Sequence, residues 1–253
     1  MKVKYIIFLL LPVLCSCTSE ADRTRMRAGL DSINVRNRND QSFTVSDVQP
    51  YVDFFDKHGS SNDRLLAHYL LGRAYHEQGE APMALQCYQQ AAECADTTAE
   101  NCDYAQLSRV YGQSAKIFYQ QGLYRNQIEY CDLSSEYGWR GNDSLNALLS
   151  YANKASAYDQ LQMKDSAILI YTDAIKQLRV YKFNKVAAGF AGILAKKLID
   201  NGKMAEAEPY MHDYEQHSGY FDSLGNIVKG REFYYNAKGL YYLKSNLLDS
   251  ADY

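Results

Sequence analysis

The chain reads as an all-α repeat protein, an array of stacked helical hairpins, and three observations carry that reading. The stretch 65–96, LLAHYLLGRAYHEQGEAPMALQCYQQAAECAD, has two amphipathic segments split by a turn. Leu71, Gly72 and Tyr75 share a face of the first, and Ala84, Tyr88 and Ala91 follow i, i+4, i+7 in the second. Gly79 can end the first helix in the left-handed conformation, and Pro82 suits the first turn of the second.

The second observation is recurrence. The small anchor Ala84 returns as Ala167, Ala207 and Ala251, with Gln127 as the exception, at offsets of 43, 40, 40 and 44 residues. Twelve residues before each anchor stands another small residue: Gly72, Ala115, Ala155, Ala195 and Gly239. Nine before come Tyr75, Phe118, Tyr158, Leu198 and Tyr242, and five before come Gly79, Gly122, Gln162, Gly202 and Asn246. Small residues let two helices cross closely, and aromatic residues fill the gaps between them. The third observation is composition: 47% hydrophobic residues, four prolines and no low-complexity run describe a chain with a core to bury.

This residue order resembles the tetratricopeptide repeat (TPR). The resemblance implies a right-handed superhelix, an α-solenoid whose first helices line a concave surface. The TPR motif spans about 34 residues, so a period of 40 to 44 implies longer helices or loops between pairs.

Taken in order, the N-terminus comes first. Lys2 and Lys4 precede an apolar run, Tyr5 to Leu14, which is too short to cross a bilayer and reads as a secretory signal over 1–16. Leu14-Cys15-Ser16-Cys17 resembles the bacterial lipobox, which implies cleavage before Cys17 and its lipidation. Plain secretion with Cys17 as an ordinary mature residue is the alternative. Residues 17–22 form a short acidic tether that resembles, weakly, the export signal of some Bacteroidota lipoproteins. Residues 23–59 then read as two capping helices: Arg23 to Asn37, with Met26, Leu30 and Ile33 on one side, and a helix begun by Ser46 and stopped by Gly59. They cover the open end of the stack, which a solenoid needs for solubility.

The array occupies 60–253, with helix pairs near 62–95, 103–137, 143–180, 184–217 and 224–253. Gly138 to Asn142 reads as a loop whose Trp139 covers neighbouring helix ends. In the fourth pair Tyr214 replaces the small residue found as Ala91 and Ala174, which predicts wider packing there. The last pair is incomplete, since Tyr253 follows the fifth anchor by two residues. Either the last helix frays or the sequence is the front of a longer protein, which the resemblance to TPR lipoproteins and membrane-bound sensors of the Bacteroidota favours.

Composition narrows the function. Tyrosine is abundant, 23 of 253, and recurring slots with the hydroxyl toward water account for it. The formal charge of −3 gives no reason to expect nucleic acid. No phosphate-binding glycine loop, nucleophile elbow or zinc-protease helix occurs, and no pair of carboxylates suggests acid–base chemistry, so neither an enzyme nor a cofactor is expected. Metal binding is not expected either: no CxxC occurs, and His212 and His217 are five apart, off the i, i+4 register.

Export would place the cysteines in an oxidising compartment. Cys94 and Cys102 flank the loop between two pairs and could bridge, whereas Cys87 and Cys131 read as buried small hydrophobes. Asp-Ser or Asp-Thr recurs at Asp31, Asp96, Asp143, Asp165, Asp222 and Asp249. It resembles an O-glycosylation acceptor of exported Bacteroidota proteins, but helix capping explains it equally.

What remains is a groove. Its inward residues, one place after each early small residue, are Arg73, Lys116, Ser156, Lys196 and Leu240; one turn on come His76, Tyr119, Asp159, Ile199 and Leu243. Arg73, Lys116 and Lys196, with Arg109 beside them and Tyr69 and Tyr119 interleaved, form a modestly basic track. Such a track suits a protein or peptide with an acidic segment; a solvated face with locally paired charges is the alternative. The expectation is a lipid-anchored, non-enzymatic scaffold in the cell envelope, held in the inner or outer membrane and facing periplasm or exterior. The alternatives are the sensory front of a longer signalling protein and a glycan-capturing outer-membrane lipoprotein.

Overall fold

The computed structural model describes residues 20–245. The signal, Cys17 and the last turn residue and anchor, Asn246 and Ala251, lie outside the described residues. Within them the chain forms eleven helices, and its β-structure is an isolated antiparallel bridge between Phe221 and Ile227.

Helix α1 (Glu20–Arg38) begins three residues earlier than the sequence predicts, so Glu20 and Asp22 of the expected tether are its acidic first turn. That is where carboxylates offset the helix dipole. Helix α2 (Val45–His58) starts on Thr44, not on Ser46. Thr44 accepts from the Asp47 N–H, and Asp47 accepts from the Thr44 N–H at 2.8 Å, a reciprocal cap closed to Ser46 inside the first turn. Ser60 and Asp63 repeat the arrangement for α3.

The hairpins follow as α3 (Ser61–Glu77) with α4 (Ala81–Cys94), α5 (Tyr104–Gln120) with α6 (Tyr124–Arg140), α7 (Ser144–Gln160) with α8 (Lys164–Val180), and α9 (Asn184–Asp200) with α10 (Met204–His217). Helices α5 to α9 are 17 residues each, and three-residue turns join α5 through α10. Two 17-residue helices with two three-residue turns give the 40-residue period. The larger offsets come from loops: 95–103 after α4 and 218–232 after α10.

The turns share one device. The residue after each helix cap takes φ near +60° to +80°: Gly79, Gly122 and Gly202, but also Asn142, Gln162 and Lys182. The next N–H reaches back five residues, as in Leu123 to the Phe118 carbonyl at 2.8 Å, which satisfies a carbonyl that the helix end leaves free.

Two expectations about elements are corrected. Gly138, Trp139 and Arg140 are the last turn of α6, not a loop. Gly138 sustains the helix there because α7 crosses it closely; a Cβ on it would lie 2.9 Å from that of Ala147. The helix expected from about residue 224 begins only at Phe233, as α11 (Phe233–Lys244). Asp222 diverts the chain instead, accepting from the N–H groups of Leu224 and Asn226 in a local turn.

The core divides in two. One cluster runs from Leu30 and Ile33 through Leu70, Tyr88 and Leu107 to Ile117, and the other from Leu148 through Leu178 and Leu194 to Tyr214 and Ala237. Between them lies a buried polar layer. Ser108 Oγ donates to the Ser134 carbonyl at 2.6 Å, Ser134 Oγ to the Ser108 carbonyl at 2.8 Å, and the Ser134 and Ser150 hydroxyls meet at 2.7 Å. Buried hydroxyls persist only where they are paired, and here backbone carbonyls do the pairing.

Tyrosine packing departs from expectation. Tyr88 and Tyr214 are 1% exposed, and their hydroxyls are buried without a partner instead of facing water. Glycines make the room: a Cβ on Gly72 would lie 2.5 Å from Tyr88 Cε1, and one on Gly192 2.5 Å from Tyr214 Cδ2. In the fourth pair Tyr214 thus sits against a position, Gly192, that carries no side chain.

Candidate functional site

The first helices of the hairpins line a concavity of about 570 Å³. Of the seven groove residues expected, the fold brings Tyr69, Arg109, Lys116 and Tyr119 to its wall and leaves Arg73, His76 and Lys196 out. Each exclusion has a local cause. Arg73 donates to Glu77 on its own helix at 3.0 Å and to Gln113 of α5 at 2.9 Å, which ties its guanidinium between the two helices. His76 meets Gln120 of the next hairpin at 3.2 Å. Lys196 is turned to Asp200, one helical turn away at 2.7 Å. Ile199, expected to face inward, is fully buried because α11 lies over it, with Lys244 Nζ donating to its carbonyl at 3.0 Å.

Four side-chain amides and two further rings also line it, Gln113, Gln127, Asn146, Asn153, Tyr171 and Phe190, alongside serine and aliphatic residues. Sequence reasoning missed them, although two signals were present. Stepping the groove register back by three and by seven residues from Lys116, Ser156 and Lys196 reaches Gln113, Asn153, Ile193 and Leu149. The anchor exception Gln127 marked the floor itself. It is 3% exposed, and its Nε2 donates to the Asn153 carbonyl at 3.1 Å and to Ser156 Oγ at 2.9 Å, while its Oε1 is unpartnered.

Charge in the concavity is one-sided. Two cations line it, and among the described lining residues none is a carboxylate. Arg109 donates to Asp143 at 2.8 Å, and the same Asp143 caps α7 by accepting from the Asn146 N–H. Lys116 is exposed and makes no ion pair among the described residues. It lies close enough to His76, with Arg73, to help burial hold that imidazole below the ordinary histidine range. Burial pushes the Cys131 thiol up to about 12, so at neutral pH it is a protonated wall residue rather than a nucleophile.

The other sequence-derived sites are scattered. Cys94 and Cys102 are free, half-buried thiols. Burial raises both thiols; at Cys94 the positive charge of Arg64 acts against it, and at Cys102 the negative charge of Asp103 adds to it. Cys87 and Cys131 are buried. Of the Asp-Ser/Thr sites, Asp143 caps α7 and Asp165 lies in the first turn of α8. Asp31 is mid-helix in α1, Asp96 and Asp222 hold turns, and Asp249 lies outside the described residues.

No family model matches this chain, and no curated protein sequence matches it. Solved structures do resemble it. BtubC (BKLC) from P. vanneervenii matches with a TM-score of 0.67 and 13% identity, over 90% of this chain and 87% of that one. Nearly identical TPR-like repeats of a kinesin-light-chain-type protein from Podosopora anserina match at 0.59 with 16% identity, over 76% of this chain and 93% of that one. Aspartyl phosphate phosphatase F from Bacillus subtilis matches at 0.59 with 12% identity, over 90% of this chain and 65% of that one. At these identities the likeness concerns fold. The chain is an all-α solenoid of TPR-type hairpins, the right-handed superhelix that the repeat pattern predicts.

Proposed function

We propose that this chain is a non-enzymatic interaction module that holds a protein or peptide partner in its concave groove, through an acidic segment of that partner, while a lipid on Cys17 keeps it at a cell-envelope membrane. One observation carries the binding half: a concavity of about 570 Å³ presents Lys116 and Arg109 with four side-chain amides and four aromatic rings, and no lining carboxylate. A carboxylate entering it meets an unpaired ammonium, the amides answer backbone groups of an extended chain, and the rings cover aliphatic stems. The TPR-type fold supports a protein partner in general terms. The anchor rests on the lipobox-like LCSC sequence at 14–17.

The test is site-specific crosslinking in intact cells of the source organism. A photo-crosslinking residue replaces Asn153 on the groove floor or, as control, exposed Leu169 on α8. Capture of one protein from Asn153 and not from Leu169, abolished by Lys116→Glu, supports the reading. Equal capture from both positions, or capture indifferent to Lys116→Glu, refutes it.

A further inference from the structure

An exposed patch lies outside the groove, at an edge of the solenoid. Helices joined by tight turns run antiparallel, so the C-terminal ends of α2, α4, α6, α8 and α10 share an edge with the N-terminal ends of α3, α5, α7 and α9. The start of α1 lies there too, because Arg27 in its second turn pairs with Asp63 in the first turn of α3. Contacts run on along the edge: Asn62 donates to the Asn101 carbonyl at 2.7 Å, and Arg140 lies over the Tyr104 ring at 4.1 Å.

At the ends of α6 and α8 this edge carries Trp139, Val180 and Tyr181, 41%, 67% and 45% exposed, with the Trp139 and Tyr181 ring centroids 5.2 Å apart. Lys182 and Lys185 follow, both exposed and without an ion pair among the described residues. Lys182 also holds φ at +65°, a conformation that three of the equivalent turns give to glycine. Tryptophan, tyrosine and lysine side by side have the composition that settles at the headgroup level of a bilayer, rings in the interface and ammonium groups among phosphates.

We propose that this edge rests on the membrane surface, with Trp139, Val180 and Tyr181 in the interfacial layer and Lys182 and Lys185 against anionic headgroups. The proposal rests on the anchor at Cys17. From Cys17 to Glu20 the chain spans at most about 11 Å, so a lipid there delivers the edge at which α1 begins, not the opposite one. The hairpins then stand away from the bilayer, with the groove open to the side.

Trp139 is the only tryptophan of the sequence, so its emission reports this edge alone. The chain from Cys17 onward, with hexahistidine replacing residues 1–16, is held by a nickel-chelating lipid on phosphatidylcholine–phosphatidylglycerol vesicles with brominated acyl chains. Tethering is expected to move the emission to shorter wavelength and quench it at least twofold. The pair Lys182→Gly, Lys185→Gln is expected to lose most of that quenching. A reporter moved to the other half of α8, as Trp139→Phe with Leu169→Trp, stays bright. Unchanged emission on tethering, or equal quenching of both reporters, overturns the proposal. Flotation of cell-made protein against its Cys17→Ser variant tests the anchor by itself: if both forms behave alike, the anchor fails and the tethered measurement still decides the edge.

Discussion

Gly72 and Tyr88 offer the sharpest test of how the hairpins pack. The Tyr88 ring occupies the space that a side chain at Gly72 would take, with Cε1 and Cδ1 2.5 and 2.6 Å from the position of a Cβ. Gly72→Ala in a helix gains about 1 kcal/mol of intrinsic propensity. Overpacking a closed site costs roughly 1–3 kcal/mol, and this ring is 1% exposed, with little room to retreat. The clash falls in the upper part of that range, about 2–3 kcal/mol, so a net loss of about 1–2 kcal/mol is expected. In a Tyr88→Ala background, itself destabilised by about 3–5 kcal/mol, the same methyl group meets no ring, and only the propensity gain of about 1 kcal/mol remains. The four proteins of the cycle, unfolded in urea and followed by helical circular dichroism, should give a coupling of about 2–3 kcal/mol. Gly72→Ala with the same effect in both backgrounds would mean that the ring and the glycine do not compete for space.

Three further outcomes follow from the turns, the groove rim and the buried thiol. Gln162 holds φ at +62° in a turn, so Gln162→Gly should raise stability by about 0.5–1 kcal/mol, while Gly122→Ala lowers it by about 1 kcal/mol; thermal melts of the two variants decide. Burial holds His76 below the ordinary histidine range, Lys116 and Arg73 adding to it against the Gln120 and Glu77 contributions. Its protonation therefore favours the unfolded chain: the contribution is complete above about pH 6.5 and is lost as pH falls through the lower folded-state value. The urea midpoint should drop between pH 7.5 and 5 by less in His76→Gln than in the parent. Cys131, with its thiol raised to about 12, should react with a thiol reagent far more slowly than half-buried Cys94 in the native protein, as mass spectrometry of the labelled peptides would report.

Helix existence and frame were legible because both depend on short-range spacing. Gly72, Ala115, Ala155 and Ala195 sit at helix crossings because a close crossing admits only small side chains, and that requirement appears in the sequence directly. The groove was legible only in part. Its register follows from helical geometry, and Lys116, Tyr119 and Ser156 lie on the wall of the concavity. Whether a cation stays free depends on carboxylates elsewhere, and the Glu77 and Asp200 that claim Arg73 and Lys196 sit one turn away on the same helices. Pairs at i, i+4 could have been read beforehand. The Asp143 that engages Arg109 arrives from the next hairpin, across 34 residues, and no local pattern announces it. The tyrosine slots misled for a similar reason. A half-buried tyrosine is the ordinary case, but Gly72 and Gly192 let two rings sink fully, at the cost of unpaired hydroxyls.

The one break in the anchor series explains why the groove lies where it does. Ala84, Ala167 and Ala207 close the interior with a methyl group and are at most 1% exposed. At Gln127 an amide takes that place and reaches α7 by hydrogen bonds. The same stretch of α5, α6 and α7 holds the serine layer, in which Asn146 Nδ2 also donates to Ser108 Oγ at 2.5 Å. Hydrogen bonds have replaced apolar contact at this level, so the two hydrophobic clusters stop on either side of it. A floor of Gln127, Ser150 and Asn146 can face an open concavity without exposing core, whereas a floor of leucine could not. Polar side chains that bridge hairpins thus hold the stack together and furnish the groove, and changes that convert them to apolar residues should close the site before they unfold the chain.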